Sequence, residues 1–324
     1  MPSDEQLTRS KAIHRRTGPT FYLATRFLPE RVREPTYVLY GFFRIADEIV
    51  DAEDRNDPEA QRRELAEIRA AVLGEKTPER PVLAAFKEIR EAHDISREEV
   101  ETFLDAMEQD ITVARYETYE ELAAYMRGSA AAVGHMMTAL MDPEDRDAAA
   151  PHAGALGEAF QLTNFLRDVR EDIEERDRVY LPQETLREHG VTDDQLASGT
   201  ADDGFRAAMR TELERAEERY REGVAGISHL PDDCQFPVLL AAVLYADHHR
   251  VIRKQGFDVL DTPPSLRRRR KVSLLARTYY RWRRTKDPEK VFYAVTDVSP
   301  PPDHSPPGER RSDADASDVS ADAA

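Results

Sequence analysis

The sequence is almost without cysteine. A single Cys234 among 324 residues rules out an intrachain disulfide and a thiolate metal site, and leaves a small buried side chain as its expected role. Lysine is scarce as well: 7 of the 46 basic residues are Lys, set against 63 acids and a formal net charge of −17. A surface so rich in carboxylates suits a protein kept soluble at high salt. It argues against nucleic acid as a partner, because phosphate backbones need clustered positive charge. Glycine is limited to 14 residues, with no glycine-rich phosphate loop, and there is no Ser/His/Asp or zinc-ligand spacing. No stretch approaches 18 consecutive apolar residues, and the N-terminal MPSDEQLTRSKAIHRRTG has no apolar signal core. The expected location is cytoplasmic, without a transmembrane anchor.

What is present is helix. Windows rich in Ala, Glu, Arg and Leu, with few alternating runs, point to an all-α protein. The pattern predicts helices over about 4–16, 31–53, 59–73, 81–93, 118–141, 205–227, 237–254 and 272–285, with another through the stretch 156–182. Pro58 behind Asp57 is a helix opener, and Ser96 followed by Glu99 has capping-box spacing. From residue 297 the chain is rich in Pro, Ser and Asp with no apolar periodicity. The expected organisation is one catalytic domain over 1–296 and a disordered acidic tail over 297–324.

Two stretches carry chemistry. Residues 156–182 read LGEAFQLTNFLRDVREDIEERDRVYLP, apolar and small at first, then polar. Gln161, Asn164, Asp168 and Asp172 fall at i, i+3, i+7 and i+11, one stripe of a helix. Asp168 and Asp172 are a turn apart, so their carboxylates repel unless a cation or a basic partner stands between them. The run RDVREDIEERDR also carries both signs in quantity, as a solvated face does, and this stretch alone leaves both readings open. The second stretch, YVLYGFFRIADEIVDAED from Tyr37, repeats the pattern with Tyr40, Arg44, Asp47 and Asp51 at i, i+4, i+7 and i+11. Its flanks are strongly apolar, and a charge set into such a helix is costly to bury unless something pairs with it. Two helices, each presenting an aspartate pair, could hold magnesium between them, since this ion is bound through one or two carboxylates plus substrate phosphates. Such a cluster would stabilise a diphosphate as leaving group.

These residues resemble the squalene/phytoene synthase family. The likeness is carried by Asp47 to Asp51 behind Tyr40 and Arg44, together with QLTNFLRDVREDIEERDRVYLP, and runs from about residue 10 to 271. Within the family it resembles the phytoene synthases, notably those of salt-loving archaea. The resemblance implies an isoprenoid-synthase helical bundle around a central cavity, using magnesium, or manganese in its place. It implies prenyl diphosphate substrates, two geranylgeranyl diphosphates joined head-to-head through a cyclopropyl diphosphate to phytoene, the first committed step of carotenoid biosynthesis. Squalene or dehydrosqualene synthesis from farnesyl diphosphate is the alternative; squalene needs hydride from NADPH. A non-catalytic relative is a third reading, which the four intact acids oppose. A peripheral membrane contact for product release is compatible with the resemblance, and oligomeric state is left open.

Residue by residue, the resemblance implies metal ligation by Asp47, Asp51, Asp168 and Asp172, with Gln161 and Asn164 beside the second pair. Arg44 and Arg167 would meet diphosphate, a task suited to guanidinium geometry. Arg33, Tyr40, Tyr180 and Tyr245 match further pocket positions, and Thr17, Thr20 and Phe21 match the entry motif, with threonine in place of serine. Phe21, Phe42 and Tyr245 are candidate aromatic faces for a carbocation. Two departures stand out. Gly128 replaces a family tyrosine after Tyr125, and Thr262-Pro263-Pro264 replaces a family arginine, for which one of Arg267 to Arg270 is a candidate substitute. The run Arg267 to Lys271 could otherwise touch anionic lipid or diphosphate, or balance the acidic surface, with solvated surface as the default expectation.

Overall fold

The computed structural model describes residues 4–17, 19–51 and 57–301. Within them the secondary structure is helical apart from an isolated bridge between Arg115 and Val179, so the protein is all-α as expected. The side chain of Thr17 and the expected tail beyond residue 301 lie outside the described residues.

The chain begins with α1 (Asp4–Thr17), α2 (Pro19–Thr25) and α3 (Glu30–Val50). Val32, Val38, Leu39, Phe42, Ile45 and Ile49 bury one broad face of α3, which is why a helix carrying two aspartates is held inside the protein. Next come α4 (Pro58–Val72), α5 (Pro81–Ala92) and α6 (Arg97–Gln109). Their starts follow the caps read from sequence: Asp57 accepts from the Ala60 amide and Ser96 from the Glu99 amide. Phe42 is fully buried and stacks on Phe86 of α5 at 4.0 Å; it belongs to the core and not to a cavity wall.

The helix expected over 118–141 is divided. It consists of α7 (Tyr119–Met126), a π-helical turn (Arg127–Ala131) and α8 (Ala132–Met141). A Cβ at Gly128 would stand 2.4 Å from the Thr102 carbonyl of α6. The π turn therefore backs onto α6 where only glycine fits.

The acidic motif is divided too. Helix α9 (Arg146–Arg167) ends at Asp168, whose φ of −105° and ψ of 15° leave the helical range, and α10 (Val169–Arg176) starts anew. Short α11 (Gln183–Glu188) and α12 (Asp193–Ala197) lead to α13 (Asp203–Ala225), a 3₁₀ turn (Gly226–His229) and α14 (Asp232–Lys254). Helix α9 is the centre of the molecule. Leu156 and Ala159 belong to an apolar core shared with α13 and α14, while Leu162, Phe165 and Leu166 belong to the core built around α3 to α8.

The chain closes with α15 (Arg268–Thr285), which starts four residues before its expected boundary, and α16 (Pro288–Val295), which was not foreseen. Val298 is buried, and Arg221 donates to the Ser299 carbonyl at 3.0 Å. The packed unit thus extends past residue 296.

Candidate active site

A polar cavity with an empty volume of roughly 890 Å³ opens between α3, α6, the π turn and the α9–α10 junction. Asp47 and Asp51 enter it from α3, Gln161, Asn164, Arg167 and Asp168 from α9 and its end, and Asp172 from α10. The two aspartate pairs read from sequence therefore face one space, and the break at Asp168 does not separate the second pair from it. Burial, and then the Asp51 charge, push the Asp47 carboxyl up to about 7. Its side chain is still 39% open to the cavity, so an incoming cation can reach it. Asp172 is also pushed up to about 7, first by burial and then by Asp168 and Glu171, against the opposing pull of Arg176. Charges this crowded favour a cation between them.

Arginine supplies part of that charge. Arg178 donates to Asp51 at 3.0 Å and to the Asp110 carbonyl at 2.8 Å. Arg176 reaches both motifs, 3.6 Å from Asp51 and 3.1 Å from Asp172. Arg167 forks onto neighbouring Asp168, its Nε donating at 2.7 Å. Among the described residues no group of three His, Cys, Asp or Glu side chains converges to hold a metal ion alone. Two carboxylates per motif nevertheless fit magnesium, which keeps waters and takes substrate phosphate oxygens as its other ligands.

Several members of this site were not legible in the sequence. Asp110, at the end of α6, accepts from the Tyr125 hydroxyl at 2.8 Å and from that of Tyr180 at 3.4 Å, and burial raises its carboxyl to about 6. Tyr180, by contrast, is an expected pocket residue, and it lines the cavity and stacks on Phe165 at 4.0 Å. Ser129 lines the same cavity with a hydroxyl that has no hydrogen-bond partner among the described residues. Because Gly128 turns away to α6, Ser129 is the residue of the π turn that faces the polar cavity.

An apolar cavity with an empty volume of roughly 770 Å³ adjoins the polar one, and Val133 lines both. Phe21, Leu28, Met137, Phe160, Val238 and Ala241 are among its walls. Phe160 carries Tyr245 stacked at 4.6 Å, and burial, ahead of any charge, pushes that phenol up to about 12. Tyr40 stacks on His14 at 4.0 Å and on Phe21 at 6.3 Å. Arg44 points along α3, 3.9 Å from Asp47 and 3.5 Å from Glu48. Arg33 lines neither cavity; its charge acts on the Tyr37 phenol.

The basic run is only partly surface. Arg270 is not surface: with Arg250 it neutralises buried Asp247. Lys271 donates to the Thr20 hydroxyl at 2.8 Å, and burial, then the Arg167 charge, lower its pKa. It is therefore Lys271 that α15 sends toward the site, beside Thr20 and Arg167.

A helical bundle with acidic helices facing one cavity is the fold of isoprenoid synthases. A ligand-bound dehydrosqualene synthase shares it with a TM-score of 0.77 and 28% identity, over 86% of this chain and 97% of that one. Residues 14–276 match the squalene/phytoene synthase family, and the chain belongs to it. It is 35% identical over 280 residues to a phytoene synthase of Thermus thermophilus, covering 86% of this chain and 93% of that protein. To a 15-cis-phytoene synthase of Synechococcus elongatus it is 31% identical over 266 residues, covering 79% and 86%. The protein is an enzyme of the prenyltransferase type.

Proposed function

We propose that the protein condenses two geranylgeranyl diphosphates head-to-head, through a cyclopropyl diphosphate, to phytoene. The observation that carries this reading is the junction at Val133, where a cavity lined by four motif aspartates meets one walled by apolar side chains. A diphosphate head and a prenyl chain need those two environments side by side. Asp47, Asp51, Asp168 and Asp172 would hold magnesium or manganese, which when bound neutralises the diphosphate and makes it a leaving group.

The chain's own residues supply the rest. Arg167 at the cavity wall offers positive charge to the diphosphate oxygens, with Arg44 beside Asp47 and Lys271 beside Arg167 adding to it, and the Ser129 hydroxyl offers a neutral donor. The apolar walls exclude water, which would capture a carbocation. The faces of Phe21 and Tyr245 stabilise positive charge through their quadrupoles. Across the sequence two diphosphates and two protons leave, one proton as the cyclopropane ring closes and one as the final double bond forms, which balances the hydrocarbon without a reductant.

The deciding experiment gives purified enzyme and magnesium either geranylgeranyl or farnesyl diphosphate, with and without NADPH, and resolves the hydrocarbons by mass. Phytoene from the longer substrate without NADPH is the expected result. Squalene or dehydrosqualene from farnesyl diphosphate, with no product from the longer substrate, would replace this reading by the shorter-chain one. No hydrocarbon from either, in folded protein, would favour a binding role.

A further inference from the structure

Helix α15 is out of character with the rest of the chain. Its 18 residues, RRRKVSLLARTYYRWRRT, hold eight cations and no acid, in a protein of net charge −17. Arg270 and Lys271 turn inward to Asp247 and Thr20. The six remaining arginines are exposed, and among the described residues Arg270 is the helix's one cation in an ion pair.

The helix buries a single stripe, Leu274, Thr278 and Trp282. With 3.6 residues per turn, the far side brings Val272, Ala276 and Tyr280 into line, with Arg269 and Arg283 beside them. Val272, Tyr279 and Tyr280 are 59%, 50% and 55% exposed, and the other large apolar side chain exposed among the described residues is Phe27, at 42%. Phe27 joins the same patch, because Phe236 meets both it and Tyr279 at ring separations of 5.8 Å. Leu28, Pro237 and Val238, the sequence neighbours of Phe27 and Phe236, line the apolar cavity. The patch therefore lies on the outer side of that cavity's wall.

We propose that α15, with Phe27, docks flat on an anionic lipid surface. Clustered arginine alone would suit any polyanion. What selects lipid is the interleaving of arginine with aliphatic and aromatic side chains on one outward stripe, the arrangement of a helix lying at a bilayer interface. Guanidinium groups fork onto headgroup phosphates, while Val272, Ala276 and Tyr280 have apolar surface that a nucleic-acid backbone would leave wet. Arg284 lies 4.1 Å over the Tyr280 ring, holding charge and apolar surface together. The inference is independent of the reaction assigned to the cavity.

The test sediments the full chain with phosphatidylcholine vesicles, alone or containing about one-third phosphatidylglycerol. Binding is expected to the anionic vesicles only and to weaken with added salt. Each surface cation contributes about fivefold to partitioning, so Arg277→Glu with Arg283→Glu should lower it at least tenfold. Tyr280→Ser, which changes no charge, should lower it several-fold. These positions are exposed, and unchanged melting temperatures confirm that the variants are folded. A parent protein that stays in the supernatant overturns the proposal, as does vesicle binding that the charge reversals or Tyr280→Ser leave untouched. Retention on heparin without any vesicle binding would overturn it in favour of an acidic macromolecule.

Discussion

Arg176 stands where two distant parts of the chain bring their charge together. Its guanidinium is 3.6 Å from Asp51 and 3.1 Å from Asp172, so an internal cation stands between the motifs. A divalent ion entering there must displace it. One charge-assisted hydrogen bond is worth roughly 1.5 kcal/mol, so Arg176→Gln should tighten magnesium binding about tenfold, measured calorimetrically without substrate. Unchanged or weaker binding would show that Arg176 supports the site instead of competing for it. Replacing Asp47 and Asp51 together by Asn should abolish turnover and leave the helical circular dichroism intact; retained turnover would remove these acids from the chemistry. The aspartate pairs were legible because helix periodicity places i and i+4 on one face. Arg176, Asp110 and Lys271 were not, since their roles depend on partners that only the fold brings near: Lys271 meets Thr20 across 251 positions of sequence.

At the scale of elements, the helices and several of their caps could be read from apolar spacing and Ser or Asp starts, but two interruptions could not. The π turn exists because α6 approaches Gly128, and the bend at Asp168 adjusts α10 to the cavity. Neither contact has a local signal. Helix α9 shows how closely elements are pressed: a Cβ at Gly157 would lie 2.4 Å from the Ala130 carbonyl. A backbone oxygen cannot rotate aside as a side-chain tip can, so the helices themselves must part. Gly157→Val should cost roughly 1–3 kcal/mol by overpacking and reduce activity, because α9 carries Gln161, Asn164 and Asp168. The check is a denaturant midpoint alongside turnover; an unchanged midpoint would mean that the α9 interface yields more readily than its backbone contact implies.

For the whole molecule, acidity should reveal what the core has sealed in. Burial pushes His14 down to about 3 and His248 down to about 4. His14 is fully buried among Phe21, Tyr22, Tyr37 and Tyr40, and among the described residues neither ring nitrogen has a hydrogen-bond partner. Both imidazoles bind fewer protons in the folded state than in the unfolded one. Their contribution is complete above the unfolded value near 6.5 and is lost as pH falls from there toward the folded values. The slope is about 1.4 kcal/mol per pH unit for each ring. The cavity acids Asp47, Asp110 and Asp172, whose folded pKa values are raised, act with the opposite sign over part of this range. The total curve is therefore a difference of comparable terms and cannot isolate either set. A difference between two proteins can. His14→Phe keeps an aromatic ring in the box and removes its titration, so the parent should lose about 2–3 kcal/mol more than the variant between pH 6.5 and 4.5, read from urea unfolding at each pH. Parallel curves would place a proton on His14 in the folded enzyme, and with it a hydrogen-bond acceptor inside the aromatic box.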